Sequence, residues 1–207
     1  MVTTRAARFR YWFAHVFHWW LLAVVPIHLG LISYLSQYDL GIFRDEDATK
    51  RVFELIHPAV LVGFTLVSLQ GYRLTRSTQF GWLTLFGAVL FCRELHFFGS
   101  GPILVGGLLM LLWAAVRQVE ERRSFLAERW PASLFTLSFV SYVISQLLDR
   151  GVFQFSIQTI RGNPHWILLH RSNMEESLET LGGCFLLLTA LCLAGRRRSG
   201  TAPSALE

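Results

Sequence analysis

Charged side chains are scarce in this chain. Only 16% of its 207 residues are Asp, Glu, Lys or Arg, against roughly 25% in a soluble domain, and that excludes an ordinary water-soluble globule. Cysteine is scarce too. The three present, Cys92, Cys184 and Cys192, all lie inside apolar runs, where a free thiol behaves as a small hydrophobe. Neither a disulfide framework nor a C-x2-C zinc spacing exists. The motifs H-E-x-x-H and H-x-x-x-H are also missing, so no familiar zinc-hydrolase helix is written into the chain. No cleavable signal peptide is evident. The first apolar run, residues 12–34, is too long for a signal core and lacks a small-residue cleavage site, so it is expected to stay as a membrane helix.

Apolar sequence fills the space that charge leaves. Hydrophobic residues make up 53% of the chain, and the mean hydropathy is +0.42. Five or six apolar runs of about 16 to 23 residues are each long enough to cross a hydrocarbon core of about 30 Å. The expectation is an all-α, polytopic membrane helical bundle of about six transmembrane helices, near 12–34, 54–72, 81–98, 102–117, 132–149 and 175–194. Residues 1–11 form a basic N-terminus, 12–194 a single six-helix membrane domain, and 195–207 a tail whose final Leu206-Glu207 reads as a cloning scar. Pro26 suits a kink, Pro58 and Pro102 suit first turns, and Asn173 suits the N-cap of the last helix.

Orientation follows from arginine and lysine in the short loops. The N-terminus, the second and fourth loops and the tail hold 12 of them, among them Arg73, Arg76, Arg129 and Arg196. The opposite side holds 6: Arg44, Lys50, Arg51, Arg150, Arg161 and Arg171. Both termini are therefore expected in the cytoplasm, with the chain in a cell (inner) membrane. The formal charge of +5 is accounted for by this topology rather than by nucleic acid.

The acids are just as unevenly placed. Ten of the fourteen fall at or just inside the outer end of the bundle, and carboxylates near hydrocarbon are usually kept for function. Helix three ends in Arg93-Glu94-Leu95-His96, and helix two begins Glu54-Leu55-Ile56-His57, with Glu54 and His57 one turn apart and able to pair. Helix five carries the stripe Ser138, Ser141 with Tyr142, Ser145 and Asp149, expected to face the bundle. Helix six opens with Glu175, Glu176 and Glu179, with Gly182 and Gly183 allowing another helix to come close. The loop 150–174, with Trp166-Ile167-Leu168-Leu169 between His165 and His170, reads as a lid over the outer mouth.

So dense a layer must protonate, pair with arginine or bind a cation. Mixed carboxylate and imidazole donors suit zinc, iron or manganese, which makes a divalent metal the expected cofactor. The expected ligands are His57, Glu94, His96, Glu175, Glu176 and Glu179; Glu94, Asp149, Glu179 and Arg93 are the expected catalytic groups. The leading expectation is a metal-dependent membrane enzyme, a hydrolase, acting on a lipid or lipid-linked substrate at the outer leaflet. One alternative is a proton- or cation-coupled transporter or channel using the same carboxylates, acting as an oligomer. The other is a non-enzymatic membrane subunit whose polar layer is structural. The bilayer and a lipid-like substrate are the expected partners, and nucleic acid is not.

Overall fold

The computed structural model describes residues 17–37, 45–95, 106, 107, 109–111, 128–150 and 165–198. Among these residues there is no strand, and the chain is an all-α helical bundle protein. A 3-10 turn, Trp19–Ala23, runs into α1, Val24–Gln37; α2 is Glu46–Thr75, α3 Thr78–Glu94, α4 Arg129–Asp149 and α5 His165–Arg198. Residues 106, 107 and 109–111 are helical as well, within the run expected over 102–117. Four segments are long and apolar enough to cross a membrane: Trp19–Ser36, Asp47–Thr75, Arg129–Asp149 and Ser172–Arg196. At about 1.5 Å per residue, the 17 residues of α3 fall slightly short of a 30 Å core, whereas the 30 of α2 and the 34 of α5 overrun it.

Two helices begin earlier than their apolar runs, for local reasons. The start of α2 moves back from 54 to Glu46 because Asp45 caps it. The Asp45 carboxylate accepts from the Asp47 and Ala48 amides at 3.0 and 3.3 Å, satisfying first-turn donors that would otherwise lack partners. An ion pair one turn on, Lys50 with Glu54 at 3.6 Å, spans the same polar turns. Pro58 therefore lies in the interior of α2 rather than in its first turn, and it removes one ladder donor there. The last helix moves back from 175 to His165, directly after Asn163-Pro164, a helix-start signal. Asn173 is accordingly no N-cap. It is buried inside α5 and donates its amide to the Ser36 hydroxyl at 3.3 Å. Glu175 and Glu176 lie inside the helix for the same reason, and the first turn of α5 carries no acid. The segment expected as a lid is in part the opening turns of α5; residues 151–164 lie outside the described residues. Pro26 sits in the first turn of α1, where a missing N–H is harmless, just after the 3-10 turn.

The chain divides into two compact units. One comprises Met1–His18, Val60–Phe135 and Leu186–Glu207. In it α2 and α3 are joined by only Arg76 and Ser77 and meet closely at two glycines. A Cβ on Gly71 would come within 3 Å of the Phe80 ring, and one on Gly87 would collide with Thr65 and Phe64. Leu61, Phe64, Phe80 and Leu83 fill the space between them. Trp82 stacks on Phe86, with Phe135 tilted against both, and its indole N–H donates to the Leu111 carbonyl at 3.0 Å. The His18 ring lies 4.7 Å from that of Trp130. Arg76 turns the corner at φ 53°, its N–H bonded to the Tyr72 carbonyl at 2.7 Å. A side chain in that left-handed region is strained by about 1–2 kcal/mol. Arg76→Gly is therefore expected to stabilise the protein by about 0.5–1 kcal/mol once glycine's greater unfolded-state freedom is deducted. Reversible unfolding in mixed micelles reads that change.

The other unit comprises Trp19–Ala59 and Thr136–Phe185. Its interior is unusually polar for an apolar bundle: Ser36, Thr49, His57, Ser138, Ser141, Ser145, Asn173, Ser177 and Glu179 are all buried. Ser138, Ser141 and Ser145 of the α4 stripe face inward as their spacing requires, Asp149 at its end is exposed, and Phe139 and Val143 on the opposite face are exposed as well.

Candidate functional site

Inside this second unit, three helices bring a histidine, a carboxylate and a phenol together. His57 sits on α2 one residue before Pro58, and its side chain is 1% exposed. Glu179 sits in the fourth turn of α5 with a side chain 6% exposed. Tyr142, Ser145 and Gln146 lie one turn apart along α4, so one face of that helix carries all three.

The geometry is ordered around the carboxylate. Glu179 Oε1 accepts from the Ser145 hydroxyl at 3.1 Å and from the Gln146 amide at 3.3 Å. That leaves Oε2 facing His57 Nδ1 at 3.9 Å. On its other side the imidazole shares a 2.9 Å hydrogen bond between Nε2 and the Tyr142 hydroxyl, the rings lying 5.9 Å apart. A run Tyr142–His57–Glu179 thus passes through the interior, with Ser145 and Gln146 anchoring its acidic end. Burial makes such contacts strong, and makes removing one partner costly.

Close packing holds the phenol in place. A Cβ on Gly182 would stand 3.0 Å from the Tyr142 ring and 3.4 Å from the Ser138 carbonyl. The close approach expected at the Gly182-Gly183 pair is real, and the element that approaches is α4. Gly182→Val should push Tyr142 away from His57 and cost about 1–3 kcal/mol by overpacking. Gly182→Ala should cost less, because the ring edge can give by a few tenths of an ångström. Thermal unfolding in detergent orders the two.

The other expected site residues fall as follows. Glu54 is half exposed and pairs with Lys50, so the carboxylate that faces His57 comes from α5 instead. Glu175 and Glu176 are half-buried on α5, between the buried Met174 and the buried Ser177. Asp149 ends α4 and is exposed. Glu94 and Arg93 belong to the first unit, at the end of α3, their side chains 3.8 Å apart. His96 lies outside the described residues. His28, on α1, lies beside the Ser177 backbone of α5.

Reading the sequence alone missed Gln146 altogether and left Tyr142 without a role. The signal for Gln146 was present: 142, 145, 146 and 149 share one face of α4. What was not present was the helix that face meets. No family model, curated protein or solved structure matches this chain.

Proposed function

We propose that the protein is a membrane-embedded metal-dependent enzyme, a hydrolase of a lipid or lipid-linked substrate, with His57 and Glu179 as ligands of a divalent ion. The observation that carries this reading is the 3.9 Å between His57 Nδ1 and Glu179 Oε2. A direct hydrogen bond would draw the pair to about 2.7–3.2 Å. Two donors about 2.1 Å from a common zinc stand about 3.4 Å apart at the tetrahedral angle and wider as that angle opens. Both donors are buried and close enough to share one ion.

The partners of the pair support the same reading. A metal-ligating histidine almost always donates its other ring N–H to a nearby acceptor. With Nδ1 on the ion, Nε2–H points at the Tyr142 oxygen 2.9 Å away. A carboxylate ligand is in turn held by hydrogen bonds, which Ser145 and Gln146 supply. A divalent ion in such a site polarises a carbonyl or phosphoryl oxygen and makes water acidic enough to attack near neutral pH. Zinc, iron and manganese suit the mixed donors. Glu94, His96, Glu175 and Glu176 are the proposed further ligands, Asp149 a proposed ligand or general base and Arg93 or Arg150 the proposed anion-binding group, all on the sequence argument. The apolar helices favour a substrate that partitions into the bilayer, met at the outer leaflet of an inner membrane.

The test is hydrolysis of ester- and phosphodiester-linked lipids in mixed micelles. The reading predicts a product whose release stops with a chelator and returns with zinc, iron or manganese. Turnover indifferent to the chelator would sink it.

One observation favours a second reading. In the opposite tautomer Nδ1–H faces Glu179 and Nε2 accepts from the Tyr142 hydroxyl, so that Tyr142–His57–Glu179 becomes a short proton relay inside the membrane. A proton-coupled transporter would then show pH-gradient-driven uptake in proteoliposomes that a chelator leaves intact and Glu179→Gln abolishes.

A further inference from the structure

A carbonyl stands unsatisfied between α1 and α5, in the second unit. Asn173 of α5 is 1% exposed and Ser36 of α1 3%. The Asn173 amide nitrogen donates to the Ser36 hydroxyl at 3.3 Å. Its Oδ1 is buried and has no hydrogen-bond partner. A buried acceptor without a partner bears its full desolvation penalty, and native folds rarely leave one so. An acceptor is satisfied by a donor or by a cation.

The surroundings favour the cation. Ser36 stands in the last turn of α1, Val24–Gln37, where a helix dipole presents its negative end. Ser33, also buried, lies three residues back on the same face and adds a second hydroxyl. On α5 the residues that follow Met174 are two half-buried carboxylates, Glu175 and Glu176. So enclosed a place suits a bare ion rather than a headgroup. The oxygens that meet there, those of Asn173 and Ser36, are neutral. Neutral oxygens and a helix C-terminal end carry a single positive charge, as sodium sites in interrupted membrane helices do. Calcium and magnesium are held mainly through carboxylates.

We propose that the seam between α1 and α5 binds one sodium ion, with Asn173 Oδ1 and Ser36 Oγ as ligands, and that the ion fastens the C-terminal end of α1 to α5. The site is independent of the His57–Glu179 pair and shares no atom with it.

Thermal unfolding of the full chain in detergent, with a chelator present and equal concentrations of sodium, potassium or choline chloride, tests this. The wild type should melt about 3–5 °C higher in sodium than in choline once sodium reaches about ten times its dissociation constant. Potassium, the larger ion, should give a smaller shift. Asn173→Ala and Ser36→Ala should each abolish most of the sodium shift. Asn173→Asp should enlarge it, because the Ser36 hydroxyl can donate to the new carboxylate and the ion gains an anionic ligand. An amide kept only for packing forecasts the opposite for that variant, a buried charge that lowers the melting temperature alike in every salt. Equal melting of the wild type in sodium and choline would overturn the proposal and leave the Asn173 carbonyl to water or to the amide turned over. A sodium shift that survives both alanine substitutions, or one that Asn173→Asp fails to enlarge, would overturn it as well.

Discussion

Glu179→Gln is expected to weaken metal binding at least tenfold while leaving the protein folded. Glutamine has the same shape as the native side chain. Its carbonyl oxygen can still accept from Ser145 and Gln146, whose 3.1 and 3.3 Å bonds hold the native carboxylate. What it removes is the anionic oxygen that faces His57 at 3.9 Å, which is the atom the proposal assigns to the ion. Ser145→Ala is the matched comparison. It deletes one bond to Oε1 and leaves Oε2 in place, so its effect should fall in the roughly 10–100-fold range typical of groups that orient a ligand, and below that of Glu179→Gln. Tyr142→Phe belongs with Ser145→Ala, because it removes the acceptor for His57 Nε2–H and not a ligand. Titration against a chelating dye ranks the three. Equal affinity in Glu179→Gln and the wild type would remove Glu179 from the metal site.

His57→Ala has the largest expected effect on stability, about 3–5 kcal/mol, because it leaves a buried carboxylate without its imidazole neighbour. Two further losses add to this. The Tyr142 hydroxyl loses a 2.9 Å partner, and a cavity opens where a fully buried ring stood. The double variant His57→Ala/Glu179→Ala should be less destabilised than the sum of its parts, since removing the acid takes away what was stranded. A coupling of about 0.5–3 kcal/mol is expected for groups in one network. Unfolding in mixed micelles, measured for both single variants and the double, closes the cycle. Strict additivity would mean that the two side chains do not interact.

The helices were legible because twenty-odd apolar residues in a row have few other solutions in a chain this poor in charge. Their ends were less legible where polar residues extend a helix beyond its apolar run. Asp45 and the Lys50–Glu54 pair do this for α2; in α5 the polar residues His170 to Asn173 join a second short apolar stretch, Trp166 to Leu169, to the main run. An Asp before a polar run is a weak signal on its own; it becomes a cap only if the chain turns there. Asn173 shows the converse, a good capping residue used instead as a buried cross-link to Ser36.

The candidate site was half legible. Glu179 stood out because it lies deeper than a helix terminus can explain, and His57 because it falls in the acidic outer layer one turn from Glu54. Spacing pointed His57 to Glu54, its neighbour one turn away. The structure instead pairs Glu54 with Lys50 in the exposed turns and turns His57 toward α5. Periodicity tells which residues share a face, and the stripe on α4 was read in that way. It carries no information about which faces meet, so the roles of Tyr142 and Gln146 emerged only with the tertiary structure.

The most direct test of the central claim is the metal content of the detergent-purified full chain, by inductively coupled plasma mass spectrometry, beside Glu179→Gln prepared identically. Near-stoichiometric zinc, iron or manganese in the wild type, falling sharply in the variant, is the predicted result. A folded wild-type chain with no stoichiometric transition metal, before or after incubation with each ion, would contradict it and leave Tyr142, His57 and Glu179 as a proton-handling network.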